Sequence, residues 1–314
     1  MVPQTQISVI IPSFNQAQYL EQTLLSIIDQ NIENIEIIVV DGGSTDGSVE
    51  IIKQYEMQLA YWASEPDRGQ SHAINKGFAI AKGDIIAWLN SDDLYLPDTF
   101  KTVIQIFQNN PAIDLIYGDV INFDEKGNET YYGVAEFEPY DFLTRISIHQ
   151  PAVFWRRKIL NESGVLDESL HYVMDYDYWM RVFFSYKTLK INKPLAKFRV
   201  HSTSKTSSNP PLMYLEWRKV LSRFICSVAH MEDIVYLKKL GIYDNDSNSI
   251  YHNIDFNYSK KRVIKNYIFQ AAIQEYSFGS KKKADLLLLH SLLSLNCFRA
   301  FWFLIKNNTV KHLR

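Results

Sequence analysis

Short continuous apolar runs and runs of helical period alternate along the first 118 residues. Ile7-Ser8-Val9-Ile10-Ile11 and Ile35 to Val40 are nearly unbroken apolar stretches, the pattern of strands buried on both faces. Between them Tyr19, Leu20, Leu24, Ile27 and Ile28 fall at helical spacing. Val49, Ile51, Ile52 and Tyr55 predict a second helix, opened by Thr45 or Asp46 as cap. Leu59 to Ala63 predicts a third strand, Ser71 to Ala81 a helix and Asp84 to Leu89 a fourth strand. Pro97 to Asn109 predicts another helix and Asp114 to Tyr117 another strand. This βαβα rhythm with apolar strands predicts an α/β fold, a mostly parallel sheet covered by helices on both faces.

The rhythm changes after Gly118. Glu125-Lys126-Gly127-Asn128 predicts a hairpin turn between Val120–Asp124 and Glu129–Val134. Pro151 to Trp155 predicts a short strand, Met174 to Tyr186 a helix and Leu189 to Val200 an extended segment. Ser202 to Pro211, rich in Ser, Thr and Pro, predicts a hinge or loop. Beyond it only helical patterns follow: Met213–His230, Lys260–Ser277 and Lys281–Ile305. The expected organisation is an α/β half over 1–118, a second half of the same domain over 119–206, and a C-terminal helical extension over 207–314.

Composition narrows the class. The chain has 314 residues, 46% hydrophobic and 22% charged, enough apolar material for a sizeable core. Cys226 and Cys297 lie far apart and form no metal-spaced motif, which predicts two buried thiols in a reducing compartment. The first ten residues lead directly into a strand, with no charged and apolar leader. Ala284 to Ile305 carries His290, Asn296 and Arg299, so a membrane span, which needs about 20 residues with few or no charges, is not expected. A cytoplasmic protein follows. Net charge is divided: residues 1–210 hold 17 basic and 27 acidic groups, residues 211–314 hold 16 and 8. The basic tail predicts either a solvated helical face or contact with an anionic membrane surface from the inner side. No nucleic-acid partner is expected.

Several motifs carry chemistry. Asn90-Ser91-Asp92-Asp93 follows the fourth strand, and carboxylates at a strand's carboxyl end lie where open α/β sheets bind ligands. Their hard oxygens suit a divalent cation, and a cation suits a diphosphate. The pair alone reads equally as a solvated cap for the helix near Pro97. Strand one ends in Pro12-Ser13-Phe14-Asn15, so neither a G-x-G-x-x-G loop nor a Walker lysine loop cradles phosphate. Strand two ends in Asp41-Gly42-Gly43-Ser44-Thr45-Asp46-Gly47-Ser48, where Asp41 can accept from a base edge or ribose and the glycines admit a ligand; a turn and cap is the structural alternative. Asp67 precedes a helix whose Arg68 and Lys76 can meet phosphate or base.

In this order, Pro12 to Asn15, Asp41 to Ser48, Asp67, Gly83-Asp84 and Asn90 to Asp93 resemble the family 2 inverting glycosyltransferases, over roughly residues 5–205. The resemblance implies the GT-A fold, with 1–118 as the nucleotide-sugar-binding half and 119–206 as the acceptor-binding half. It implies that Pro12, Ser13, Asp41, Gly43, Asp67, Lys76 and Asp92 line the donor, typically a uridine diphosphate sugar. It also implies that the Asp92–Asp93 pair holds Mn2+ or Mg2+, with Asp93 the favoured ligand, Asp92 nearer the ribose, and His201 completing the metal site. Asn90 stands where many relatives have aspartate. Arg199 is a candidate phosphate contact.

An acceptor hydroxyl needs a general base opposite the leaving group. The segment Tyr172 to Arg181 resembles the family's Glu-Asp element, which places Asp175 as that base and Met174 where the acidic partner usually stands. Asp177, about 200° away on a helix, is the fallback base, with a helix-surface or Arg181-paired carboxylate as its favoured structural alternative. His149, Gln150 and Trp155 are the candidate acceptor contacts, a buried tryptophan being the structural alternative for Trp155. The expected activity is metal-dependent, inverting transfer to a saccharide or lipid-linked hydroxyl in polysaccharide or glycolipid synthesis. A carbohydrate-binding protein that lost turnover and a nucleotidyltransferase are the other readings; the chain lacks the latter's Gly-rich, Arg-containing loop after strand one.

Overall fold

The computed structural model describes residues 6–143, 148–201, 204–205, 210–244, 251, 256 and 258–293. The chain divides into two compact units, Met1–Phe137 with Ser147–Ser208, and Glu138–Ile146 with Asn209–Arg314.

The first unit is built on one mixed sheet. Its strands are β1 (Ile7–Ser13), β2 (Ile35–Asp41), β3 (Tyr61–Ser64), β4 (Ile85–Trp88), β5 (Leu94–Tyr95), β6 (Leu115–Asp124), β7 (Glu129–Tyr132), β8 (Val153–Arg156) and β9 (Thr188–Val200). They lie in the order β3-β2-β1-β4-β8-β6-β9-β5, with β7 on β6. The block β3-β2-β1-β4 is wholly parallel, while β8 runs antiparallel between β4 and β6, and β6 pairs with β9 in parallel. Helices α1 (Ala17–Ile28), α2 (Ser48–Gln54), α3 (Gln70–Ile80) and α4 (Thr99–Asn109) connect and flank the parallel strands. Every residue of β1 is buried, because a strand covered on both faces has no solvent side. Gly77 lets α3 lie directly on β1, since a Cβ there would overlap the Ile10 side chain.

Register positions the functional edge. Ser13 pairs with Asp41, and Asp41 with Ser64, so the first three strands end in line. Ile10 pairs with Trp88, which brings the Asn90–Asp93 turn to the same carboxyl edge. The chain leaves β1 for β2 on one side and reaches β4 on the other, so a crevice opens between the β1 and β4 ends, where such sheets bind ligands.

Several boundaries differ from the sequence reading. The third strand starts at Tyr61 rather than Leu59, because Glu56–Gln58 forms a 3-10 turn that captures the Leu59 N–H. Pro151 lies in a 3-10 turn, Gln150–Ala152, and β8 starts only at Val153, since proline cannot donate to a ladder. The helix over Met174 (α7, Met174–Val182) ends four residues early in a turn at Phe183–Tyr186. The hairpin turn forms as expected, with Asp124 Oδ1 accepting from the Lys126 and Asn128 N–H groups. The pattern missed β5 and α6 (Arg157–Ser163), both too short to show a period.

The second unit is helical among its described residues: α5 (Pro139–Phe142), α8 (Pro210–Val228), α9 (Met231–Lys239), α10 (Lys260–Phe278) and α11 (Lys281–Leu293). The pattern missed α9, whose start is a capping box between His230 and Asp233. Cys226, expected to be buried, is only partly buried in α8, and residues 294–305 of the last expected helix, with Cys297, lie outside the described residues. Among the described residues no helix is long and apolar enough to cross a membrane.

Candidate active site

The β1 and β2 ends are zipped together by their loops. The Gly42 N–H donates to the Ser13 carbonyl at 2.8 Å, and Asn15 exchanges bonds with Ser44 and Thr45. Asp41 is fully buried. Its Oδ2 accepts from the Gly43 N–H at 3.1 Å, the Ser44 N–H at 2.8 Å and the Ser64 hydroxyl at 2.6 Å, and its Oδ1 accepts from the Ser44 hydroxyl. The carboxylate is therefore turned onto its own loop, where it shapes the turn rather than presenting acceptors to a base or ribose. Pro12 and Ser13 are buried as the last residues of β1. Phe14 projects instead, 59% exposed, and a Cβ on Gly42 would lie 3.2 Å from its ring and 2.8 Å from Asp67 Oδ2. Gly42 is thus the floor between an exposed aromatic ring and a half-buried carboxylate. Gly43 takes φ +83°, a conformation that favours glycine. Lys76 pairs with Glu65 at 2.6 Å and Arg68 with Glu168 at 2.5 Å, so both cations are held by carboxylates.

The Asn90–Asp93 turn is braced from three directions. Asp93 N–H donates to the Asn90 carbonyl, and Thr23 Oγ1 of α1 lies 2.9 Å from the carbonyls of Ser91 and Asp93. Asn90 Oδ1 accepts from Trp88 Nε1 and from Gln70 Nε2, each at 2.8 Å. Arg199 of β9 donates its backbone N–H to Asp93 Oδ1 at 2.9 Å, its Nε to the Asp92 carbonyl at 2.7 Å and Nη2 to Gln22 Oε1 at 2.8 Å. Its guanidinium is stacked between the rings of Tyr19 and Phe123, at 4.4 and 4.3 Å. Arg199 therefore bolts the turn in place and is not presented to phosphate.

The two aspartates separate. Asp93 is 1% exposed, and burial, then the neighbouring Asp92 charge, push its carboxyl well above the usual range. The Asp92 side chain is 22% exposed, and its Oδ2 lies 3.0 Å from His201 Nε2. Octahedral ligands at about 2.0–2.1 Å from an ion sit about 3 Å from one another. Asp92 and His201 thus have the donor chemistry and the spacing that two ligands of one small divalent cation need, while Asp93, the expected ligand, is buried. Among the described residues no cluster of three or more His, Cys, Asp or Glu side chains is poised for a metal.

Asp175 stands in the first turn of α7. Its Oδ1 accepts from the Tyr176 N–H at 2.8 Å, and burial pushes its pKa up to about 6, against a smaller opposing pull from hydrogen bonds and the Lys205 charge. Asp177 is buried and paired with Arg181 Nη2 at 3.2 Å, the spacing expected of it.

The acceptor candidates part company. Trp155 is wholly buried in β8, edge-on to Phe78 and Trp179 and tilted against Tyr178, so it is a core residue. Trp155→Ala is expected to lower stability by ~3–5 kcal/mol, read by urea unfolding, through loss of packing. Gln150 is buried too, its Nε2 donating to the Trp88 carbonyl, so it ties the 3-10 turn to β4 rather than facing a sugar. His149 is half-buried between Tyr132 and Phe198, and burial pushes its pKa down to about 4. In that cluster the exposed ring is Tyr132.

Sequence reasoning missed Phe14 and Gln70. An aromatic side chain directly after an all-apolar strand is a signal for the first; the second gives none.

A family model described as Glycosyl transferase family 2 matches residues 8–176. An uncharacterized glycosyltransferase of Rickettsia typhi is 31% identical over 239 residues, covering 73% of this chain and 74% of that protein. The chain spans only 31% of the length of other rickettsial relatives it matches. Among solved structures, S. aureus TarS 1-349 in complex with UDP-GlcNAc has a TM-score of 0.61 at 17% identity, covering 92% of this chain and 88% of that one. The mannosyltransferase PcManGT from Pyrobaculum calidifontis, in complex with GDP-Man and Mn2+, has a TM-score of 0.51 at 18% identity, covering 96% and 84%.

Proposed function

The chain belongs to glycosyl transferase family 2 and has its GT-A fold, and on that premise we propose that it transfers a sugar, with inversion, from a nucleotide-diphosphate sugar to an acceptor hydroxyl. The observation that carries this reading is the pairing of Asp92 with His201 at the β4 end, together with the raised carboxyl of Asp175 in the same unit. Uridine is the favoured base, since a neighbour of the same fold is described with UDP-GlcNAc; guanine is the alternative from the one with GDP-Man.

Phe14 stacks the base and Asp67 Oδ2 accepts from its edge, while the Gly42–Gly43 backbone allows close approach. Asp92 and His201 are the residues that would hold Mn2+ or Mg2+. When bound there, a divalent cation neutralises charge on the departing phosphate as a Lewis acid. Asp175 takes the acceptor's hydroxyl proton as the new C–O bond forms at the anomeric carbon. The bond from that carbon to the β-phosphate oxygen breaks, and its electron pair leaves with the nucleoside diphosphate. Displacement from the face opposite the leaving group inverts the anomeric centre. Tyr132 and His149 form the surface we assign to the acceptor, a saccharide or lipid-linked hydroxyl of polysaccharide or glycolipid synthesis.

A panel of UDP-, GDP- and dTDP-sugars with manganese, read by nucleoside diphosphate release, tests the reading. Release from one donor, with an inverted anomeric proton in the product, supports it. A protein that binds a sugar nucleotide and acceptor but never turns over is instead a carbohydrate binder on the same fold.

Peripheral attachment to an anionic membrane is the finer reading of place. Residues 211–314 carry a net charge of +8, and the second unit exposes Met231, Val235, Leu286 and Leu289 beside Lys238, Lys239, Lys281 and Lys282. Cosedimentation with phosphatidylserine vesicles at low salt, lost at high salt, is expected; no binding at low salt rules it out.

A further inference from the structure

Helix α1 turns one face onto the Asn90–Asp93 turn. Tyr19, Gln22 and Thr23 stand at i, i+3 and i+4, the spacing of neighbours on one side of a helix. Thr23 Oγ1 meets the carbonyls of Ser91 and Asp93, and Gln22 Oε1 accepts from Arg199 Nη2. Both act on the backbone of the turn or on its brace. Tyr19 goes further and touches a side chain of the Asp92–His201 pair. Its ring lies 5.0 Å from the His201 imidazole, centroid to centroid, tilted by 51°, a separation at which aromatic rings pack. The Arg199 guanidinium lies 4.4 Å from the same ring. Arg199 in turn donates its N–H to Asp93 Oδ1 and its Nε to the Asp92 carbonyl, so one ring supports both sides of the pair.

The ring is itself fixed. Tyr19 is 5% exposed, and its hydroxyl donates at 2.6 Å to Oε1 of Glu125, in the turn between β6 and β7. The helix that carries it is pinned at its first residue, where the Ala17 N–H donates to Asp46 Oδ2 at 2.9 Å. The preceding Gln16 N–H donates to Ser48 Oγ at 3.0 Å. The loop after β2 therefore sets where α1 begins, and with it the level of Tyr19.

An imidazole that is to bind an ion needs such a wall. The last torsion of a histidine side chain is broad and roughly two-fold, so a contact at Nε2 does not by itself fix the plane of the ring. Rotation about the Cβ–Cγ bond swings the lone pair of that nitrogen off the ion. Packing against Tyr19 restricts the rotation before any metal arrives. We infer, on the metal-dependent reading above, that Tyr19 is the positioning residue of the metal pair: its ring sets the plane of His201 and, through Arg199, seats the turn that carries Asp92. Tyr19 holds no ion and touches no reacting atom.

Manganese titration of the full chain, followed by electron paramagnetic resonance with the metal alone and with UDP or GDP, tests this in wild type, Tyr19→Leu, Tyr19→Phe and Leu24→Ala. Groups that orient a metal ligand are worth about 10- to 100-fold in metal affinity, and Tyr19→Leu should lose that much. Tyr19→Phe keeps the ring and should retain most of the affinity. Should Tyr19→Leu not fold, Tyr19→Met, which fills the space with a flexible side chain, replaces it with the same expected loss. Leu24 is buried on the same helix within the hydrophobic core. Leu24→Ala should therefore lower the urea midpoint and leave manganese affinity at the wild-type value. Wild-type manganese affinity in Tyr19→Leu or Tyr19→Met overturns the assignment. An equal loss in Leu24→Ala overturns it too, since that marks general loosening of the helix. Wild type that binds no manganese under any of these conditions removes the metal-dependent reading, and the role of Tyr19 with it.

Discussion

Asp175→Asn is expected to lower kcat by about 10^2- to 10^4-fold, the usual contribution of a positioned general base, while leaving donor affinity unchanged. Asparagine keeps the shape of the side chain and the bond from the Tyr176 N–H, but cannot take a proton. The pH dependence makes the same case in the unaltered protein. Asp175 acts only when ionised, and burial raises its pKa to about 6. Activity should therefore be low below pH 6, rise through about 6 and level off above it, and Asp175→Asn should lose that limb. A fall in donor affinity equal to the fall in kcat would assign Asp175 to binding instead. Asp177→Asn provides the contrast: its carboxylate is buried against Arg181, so its loss should destabilise the fold while leaving the acid limb in place.

Asp92→Ala is expected to abolish metal-dependent donor binding and to lower kcat/KM on the order of 10^3-fold, since a bound cation is worth several kcal/mol of charge stabilisation. His201→Ala should follow it, because the two side chains lie 3.0 Å apart and supply complementary ligands. Asp93→Asn should behave otherwise. Its carboxyl is buried and held toward its neutral form, and an amide oxygen can still accept from the Arg199 N–H. Metal-dependent binding should survive Asp93→Asn, whereas Asp93→Ala should cost ~1–3 kcal/mol of stability by leaving that N–H unsatisfied. Manganese titration followed by electron paramagnetic resonance separates the variants without reference to turnover. Loss of manganese binding in Asp93→Asn with retention in Asp92→Ala would reverse the assignment.

The parallel block was legible because its strands are continuous apolar runs, and the site's location followed because ligands of such sheets gather at the strand ends. Pairing across the sheet was less so. Antiparallel insertion of β8 between β4 and β6 joins residues about 40 and 70 positions apart, and no local period records that. Adjacent aspartates in a tight turn point different ways, and which one is buried depends on Arg199, more than a hundred positions later. Trp155 and Gln150 show the same limit: the family resemblance suggested sugar contact, while the register of β8 buries Trp155 and a 3-10 turn buries Gln150 against the Trp88 carbonyl. Asp41 was identified as a strand-end carboxylate, but its four bonds, three from its own loop and one from Ser64 of β3, appear only once the backbone is folded.

The central claim is that Asp92 and His201 join a divalent cation to the donor's diphosphate. Titration of wild-type protein with UDP and GDP, with manganese and then with EDTA, tests it most directly. The account predicts tight binding of one nucleotide with manganese, at least tenfold weaker binding in EDTA, and no manganese effect in Asp92→Ala. Equal affinity with and without the metal in wild type would contradict it.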